Sequence, residues 1–209
     1  MPVRTGCGGR LGEGERVGDY PELYVLRHGE TEWNRIGRMQ GALDSPLTGL
    51  GRAQAARQGE ILAASGVTAA SHAFRVSHLG RARATAEIAL GALGAEAEID
   101  DRLAEISLGP CNGLTRAEIA RRFPGQGDDL HPFFWYDRVP GSEGFAAVEA
   151  RIAAFLGGLR GPAVIVTHGV ISIFLRGIVL GLDLDGMAEL PGGQGVVYRV
   201  KDGVQTRLE

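Results

Sequence analysis

The segment from Arg27 to Thr31 begins with an arginine, a histidine and a glycine, and it follows a mostly apolar run at residues 22–26. A neutral imidazole can act as a nucleophile, and a planar guanidinium matches the oxygens of a phosphate group. The apolar run is typical of a buried strand, and open α/β sheets bind ligands at the carboxyl ends of their strands. These residues therefore predict phosphoryl chemistry at the end of the first strand.

Two further polar clusters follow apolar runs in the same way. Residues 77–81 (Ser-His-Leu-Gly-Arg) follow the run at 73–76, and residues 167–169 (Thr-His-Gly) follow the run at 163–166. A single histidine after a strand is more often a capping or surface residue, but two that each precede a glycine favour a site. Parallel strands place their carboxyl ends along one edge of a sheet. We therefore expect the three clusters to converge.

Apolar runs and helical patterns alternate along the chain, which predicts an α/β protein. The expected architecture is a three-layer α/β/α sandwich with a mostly parallel central sheet and a C-terminal β-hairpin. The predicted strands lie near residues 22–27, 73–76, 98–99, 163–166, 196–200 and 204–207. The predicted helices lie near residues 49–64, 81–91, 115–122, 143–159 and 170–181. Residues 124–140 are expected to form a loop.

Composition and charge indicate the domain organisation, the class of partner and the location of the protein. We expect glycine-rich residues 1–20 to form a disordered leader and residues 21–209 to form a single domain. A net charge of −3 gives no reason to expect a nucleic-acid or anionic-membrane partner. The apolar stretch at residues 170–182 is too short to span a bilayer. We therefore expect a cytoplasmic protein that binds a small-molecule substrate. Whether it forms a homodimer is left open.

Five ordered motifs resemble those of the histidine phosphatase superfamily, also called the phosphoglycerate mutase-like family. The matches are residues 27–34 with RHGxTxWN, residues 46–55 with PLTxxGxxQA, residues 77–86 with SxLxRAxxTA, residues 103–115 with the segment that carries the family's acid, and residues 167–169 with the final histidine motif. The resemblance spans roughly residues 22–181.

The resemblance implies a role for each matching residue. His28 would be the nucleophile and would form a phosphohistidine. Arg27 and Arg81 would hold the phosphoryl oxygens, and His168 would donate to the same oxygens. Glu105 would protonate the leaving oxygen and then deprotonate the attacking water.

Two further positions complete the expected phosphate contacts, and several others depart from the family pattern. Asn34 and Gly169 are expected to bind phosphate, and the resemblance implies neither a metal nor a cofactor. His78 stands where the family usually has aspartate. Val170 and Ile173 stand where glycine or asparagine, and arginine, are frequent. His78 is expected at the edge of its loop, and several of the other departures alter the rim where substrate specificity would be set.

The leading interpretation is a metal-independent phosphomonoesterase that acts on a small phosphorylated metabolite. The alternative is a phosphoglycerate mutase that uses the same phosphohistidine, which the short stretch between Gly113 and Gly141 disfavours. A metal site built from two histidines and a glutamate is a second alternative, which Arg27 and Arg81 disfavour because cations repel a divalent ion. A phospholigand-binding protein without catalysis is a third. The aromatic residues of 123–140 would cover the core or choose the organic part of the substrate.

Overall fold

A computed structural model describes residues 20–125 and 131–209. Within these ranges one six-stranded sheet is formed by β1 (Leu23–Arg27), β2 (Ala73–Val76), β3 (Glu98–Ile99), β4 (Ala163–Thr167), β5 (Val197–Lys201) and β6 (Val204–Leu208). The strand order is β3-β2-β4-β1-β5-β6. The first four strands in this order are parallel, β5 is antiparallel to β1, and β6 is antiparallel to β5.

Helices cover both faces of this sheet. In chain order they are α1 (Glu32–Arg35), α2 (Gly49–Ala64), α3 (Gly80–Gly91), α4 (Arg116–Arg122), α5 (Pro132–Arg138), α6 (Phe145–Leu156), α7 (Gly169–Val179) and α8 (Leu184–Ala188). Helices α2 and α3 pack together against one face, and α6 and α7 pack together against the other. The predicted three-layer α/β/α sandwich with its mostly parallel sheet and C-terminal hairpin is confirmed.

Alternating side chains of the central strands pack into two separate apolar cores. Leu23 and Val25 of β1 belong to the core beneath α6 and α7, whereas Tyr24 and Leu26 belong to the core beneath α2 and α3. Successive residues of a strand point to opposite faces of a sheet, so a strand buried on both faces must be apolar throughout. This burial fixes β1 and β4 at the centre, where their carboxyl ends lie side by side.

The prediction that residues 124–140 form a loop was wrong for residues 132–138, which form α5. Pro132 occupies the first turn, where a missing backbone N–H costs nothing. The His131 side chain accepts a hydrogen bond from the Phe133 amide and caps the helix. Phe133 and Trp135 then bury their rings in the core. A seven-residue helix gains its stability from this packing, so it has little local signal.

The sequence also predicted a disordered N-terminal leader and no membrane-spanning segment. The predicted leader, residues 1–20, lies outside the described residues except for Tyr20, which packs against the core beneath α6 and α7. Among the helices of residues 20–125 and 131–209, none combines the length and apolar character that crossing a membrane requires.

Candidate active site

The carboxyl ends of β1, β2 and β4 bring two histidines and an arginine together. His28 follows β1, His168 follows β4, and Arg81 lies in the first turn of the helix that follows β2. The Arg81 Nε donates to the His28 Nε2 at 3.2 Å, and the rings of His28 and His168 have centroids 5.2 Å apart. All three side chains are buried. The structure thus gathers the three predicted clusters around one point.

Hydrogen bonds fix which nitrogen of His28 carries the proton. Its Nδ1 lies 2.8 Å from the carbonyl oxygen of Gly29, which can only accept, so Nδ1 carries the proton. The Nε2 therefore holds the lone pair, and this lone pair faces the Arg81 guanidinium. Burial holds the pKa of His28 well below its usual range, and the positive charges of Arg27 and Arg81 act in the same direction. The imidazole is thus neutral and nucleophilic at Nε2.

Arg81 is held in place by a loop that precedes α2. Its Nη1 donates to the Leu43 carbonyl at 2.6 Å and to Asp44 Oδ1 at 2.9 Å, and its Nη2 donates to the Gly41 carbonyl at 2.9 Å. The Asp44 carboxylate also accepts from the Gly80 amide at 2.6 Å, at the start of α3. These contacts lock the guanidinium against His28, and Asp44 balances its buried charge.

Arg27 and His168 each keep a buried nitrogen without a hydrogen-bond partner among the described residues. These atoms are the Nε of Arg27 and the Nδ1 of His168. The His168 Nε2 is 2.8 Å from Ser77 Oγ, which already accepts from the Leu79 amide. If the Ser77 hydroxyl donates to Nε2, the proton of His168 resides on Nδ1. Unpartnered buried donors are costly, and a phosphoryl oxygen would satisfy both.

Glu105 is held at the first turn of α7. Its Oε2 accepts from the amides of Gly169 at 3.0 Å and Val170 at 3.4 Å, and its Oε1 accepts from the Ile106 amide at 3.1 Å. The amides at the start of α7 thus hold the Glu105 carboxyl group in place. The Gly169 amide, predicted to contact phosphate, thus donates to Glu105. The Thr167 hydroxyl donates to the Leu103 carbonyl at 2.8 Å and ties this segment to β4.

Asn34 and Gln194 close the other side of the site. The Asn34 Oδ1 accepts from the Thr31 amide and from Gln194 Nε2, each at 3.2 Å, so the Asn34 amide group points its Nδ2 away from these partners. Gln194 Nε2 also donates to the His28 carbonyl at 3.1 Å. Nothing in the sequence pattern singled out Gln194, because its contacts join residues 160 or more positions apart.

The motif at residues 46–55 supports the loop that carries His28. A Cβ at Gly29 would lie 2.1 Å from the Gly51 carbonyl oxygen, and a Cβ at Gly51 would lie 2.0 Å from the Glu30 carbonyl oxygen. Glycine is therefore required at both positions. The Gln54 side chain accepts from the Glu30 amide at 2.8 Å, and Thr48 donates to the Glu30 carboxylate at 2.8 Å. The loop is thus fixed on the first turns of α2.

Two cavities meet at Arg27, Glu105 and Tyr136. The smaller, of about 70 Å³, is lined by these residues together with Asn34 and Arg81. The larger, of about 250 Å³, extends along α5 and α7. Burial raises the pKa of Tyr136, and the negative charge of Glu105 acts in the same direction, so the phenol stays protonated beside the carboxylate.

Several other sequence predictions concern residues outside these cavities. His78 pairs with Asp101 at 2.9 Å and is half exposed, at the edge of the loop after β2. Trp135 is buried under Arg116, so the wall of the larger cavity is made by Phe133 and Tyr136 instead. Within residues 20–125 and 131–209, no three His, Cys, Asp or Glu side chains are grouped as metal ligands would be.

The two buried histidines should make the stability of the fold depend on pH. Burial lowers the pKa of His168 as well, with Arg81 and His28 adding to the effect. The unfolded chain therefore binds more protons than the folded protein below about pH 6.5, and the free energy of unfolding should fall on acidification. We expect a slope of up to about 1.4 kcal/mol per pH unit for each histidine. Urea unfolding between pH 7 and pH 5 measures this slope.

Single variants test whether His28 and His168 cause the dependence of the unfolding free energy on pH. His28→Asn and His168→Asn should each remove part of the acid destabilisation, whereas the contribution of His72, whose pKa burial also lowers, should persist in both. A slope that neither variant changes would show that the two imidazoles bind protons as readily in the folded protein as in the unfolded chain.

Comparison with known proteins places the chain among phosphoryl-transfer enzymes. The model of the histidine phosphatase superfamily (branch 1) matches residues 23–203. A Salmonella paratyphi B protein named "Probable phosphoglycerate mutase GpmB" is 34% identical over 166 residues, which cover 77% of this chain and 75% of that protein.

Solved structures give a consistent result. A mycobacterial glucosyl-3-phosphoglycerate phosphatase in complex with VO3 is 30% identical, with a TM-score of 0.69 over 86% of this chain and 92% of that one. The protein TTHB049 from Thermus thermophilus is 35% identical, with a TM-score of 0.62 over 90% of this chain and 99% of that one. The strand-end clusters, the fold and the family match agree: the chain belongs to branch 1 of the histidine phosphatase superfamily.

Proposed function

We propose that the protein is a metal-independent phosphomonoesterase that hydrolyses a small phosphorylated metabolite through a phosphohistidine on His28. The contact between the His28 Nε2 lone pair and the Arg81 guanidinium at 3.2 Å carries this proposal. It pairs a neutral nucleophile with a cation that attracts the phosphoryl group. A cytoplasmic location and the absence of nucleic-acid and membrane partners remain part of the proposal.

In the first step His28 Nε2 attacks phosphorus, and the bond from phosphorus to the ester oxygen breaks. Glu105 enters this step protonated and gives that proton to the ester oxygen, so the alcohol leaves neutral. The transition state spreads negative charge over three phosphoryl oxygens. Arg27, Arg81 and His168 supply donors for these oxygens, and two of those residues hold buried nitrogens without a partner among the described residues.

In the second step water attacks phosphorus, and the bond from phosphorus to Nε2 breaks. Glu105 takes a proton from this water, which returns the carboxyl to its starting form. The products are inorganic phosphate and neutral His28. Covalent capture thus divides one displacement into two, and one carboxyl serves in both because it borders the phosphoryl site and the larger cavity.

A phosphoglycerate mutase is the second candidate, favoured by the 34% identity to a protein that carries that name. The two activities share the phosphohistidine and differ in its acceptor. In the hydrolase the acceptor is water, and in the mutase it is the hydroxyl of a rebound phosphoglycerate. The 30% identity to a glucosyl-3-phosphoglycerate phosphatase supports the hydrolase.

A panel of phosphomonoesters, assayed with excess chelator, tests the proposal. We expect inorganic phosphate to be released at the same rate with and without chelator. Acid-labile phosphate should appear on His28 within one turnover. Interconversion of 3-phosphoglycerate and 2-phosphoglycerate, followed in parallel, should be slower than phosphate release from the best ester of the panel.

Other outcomes would identify the alternatives. Faster interconversion than hydrolysis would establish the mutase, and activity lost on chelation would establish a metal enzyme. Binding without turnover or phosphoenzyme would establish a phospholigand-binding protein.

A further inference from the structure

The larger cavity is the space into which the alcohol half of a substrate must extend. It shares Arg27, Glu105 and Tyr136 with the phosphoryl site. Glu105 protonates the ester oxygen in the proposed mechanism, so the carbon atoms attached to that oxygen lie on its far side. The charges that line this cavity therefore decide which alcohols fit.

Arg176 places a positive charge in the wall of this cavity without a negative partner among the described residues. It lies in α7, is fully buried, and donates to the Ser172 carbonyl and to Gln205 Oε1, each at 2.9 Å. Its guanidinium lies 4.0 Å from the centroid of the Tyr198 ring. Each of these partners is neutral. Burial lowers the pKa of Arg176 to about 10, so the group is still charged at neutral pH.

Arg116 adds a second charge at the rim. It is exposed at the start of α4 and lies 4.6 Å from the centroid of the Trp135 ring, and within the described part of the chain it forms no ion pair. Stacking leaves the edge of a guanidinium free to donate to an anion.

Glu105 is the single acidic side chain among the described residues that line the cavity. Three backbone amides already donate to its carboxylate. The cations at Arg116 and Arg176 therefore have no acidic partner within the described wall. A buried charge without compensation is unfavourable, and an anion brought into the cavity would relieve this cost.

We propose that this cavity is a subsite for a second anionic group, either a carboxylate or a further phosphate, on the alcohol half of the substrate. The inference rests on the proposed function and narrows its substrate to phosphorylated acids and bisphosphates. Arg116 contacts the anion at the rim, whereas Arg176, which is fully buried, acts through its field. Phe133 and Tyr136 form the wall beside the intervening carbon atoms.

Three esters with one carbon skeleton test the subsite: 3-phosphoglycerate, glycerol 1,3-bisphosphate and glycerol 3-phosphate, which lacks the second anion. The measured quantity is the second-order rate constant for phosphohistidine formation, because this step precedes both hydrolysis and mutase transfer. We expect at least one of the two esters with a second anion to exceed glycerol 3-phosphate by about tenfold, and the stronger of the two identifies the anion.

Variants assign this preference to the two arginines. The compared quantity is the rate constant for the preferred ester divided by that for glycerol 3-phosphate. Arg176→Met should reduce this ratio by about fivefold and Arg116→Ala by about threefold. High salt should shrink the loss from the exposed Arg116 and leave most of the loss from the buried Arg176, because buried charges are screened much less. Arg121→Ala is the matched control, since Arg121 is exposed on the same helix and does not line the cavity; its ratio should equal that of the wild type. If Arg176→Met does not fold, the wild-type ratio and Arg116→Ala decide the question.

The outcomes separate this inference from the proposed function. Equal rate constants for all three esters, or a ratio that both variants leave unchanged, would overturn the subsite and leave the phosphohistidine mechanism intact. If none of these esters nor 4-nitrophenyl phosphate phosphorylates His28, the proposed function fails, and the subsite fails with it.

Discussion

His28→Ala is expected to lower kcat for every phosphomonoester by at least about 10⁴-fold, because the covalent intermediate can no longer form. The remaining groups, Arg27, Arg81 and His168, should still bind phosphate, since the substitution leaves their donors in place and removes a ring that occupies Arg81 Nε. Steady-state phosphate release measures the loss. Acid-quenched labelling with a radioactive phosphomonoester should show no protein-bound phosphate.

The matched control for this substitution is His78→Ala. His78 also follows a strand, but it is half exposed and paired with Asp101 rather than with Arg81 or His168. Its removal should leave kcat within about twofold of the wild-type value, as expected for a surface substitution. Labelling that persists in His28→Ala would place the nucleophile on another residue and refute the mechanism.

Glu105→Gln is expected to have an effect that depends on the leaving group. For an alkyl phosphate the loss in kcat should be about 10² to 10⁴-fold, because an alkoxide must then leave without a proton. For 4-nitrophenyl phosphate the leaving group is stable as an anion, so phosphohistidine should form at nearly the wild-type rate. The second step still lacks its base. A burst of nitrophenolate followed by slow turnover should therefore appear in stopped-flow measurements.

Glu87→Gln controls for the loss of one carboxylate, since Glu87 is exposed on α3 and lies outside both active-site cavities. This variant should show wild-type turnover with both esters. Glutamine at position 105 can still accept from the Gly169 amide, so a general collapse of the site is not expected. A loss of equal size for both esters, without a burst, would exclude Glu105 as the proton donor.

Much of the fold could be predicted because its strands and helices have strong local signals. The central strands β1 and β4 are buried on both faces, so they are continuous apolar runs that end at polar residues. Helix α2 begins at a threonine cap, and α4 begins at a capping box formed by Thr115 and Glu118. By contrast, α1 has only four residues and α5 depends on burying Phe133 and Trp135, so neither shows a helical period of its own.

The sequence predicted which strand-end residues lie together in the site, but not the residues that hold them in place. His28, Arg81 and His168 lie at strand ends, where topology alone brings them together. Asp44 lies 37 positions before Arg81, in a loop without regular structure, and nothing in its local sequence indicates an ion pair. The same holds for Gln194, whose partners His28 and Asn34 lie 166 and 160 positions before it in the chain. Such contacts exist only once the chain has folded, because they depend on which loops become neighbours.

The contact between Gly29 and Gly51 has a consequence for how this protein can change over evolutionary time. The two backbones touch so closely that a methyl group on either one would force apart α2 and the loop that carries His28. Neither glycine can be replaced alone. A compensating substitution at the other position cannot make room, because glycine is already the smallest residue. The position of the His28 imidazole is thus conserved only together with the position of the whole of α2.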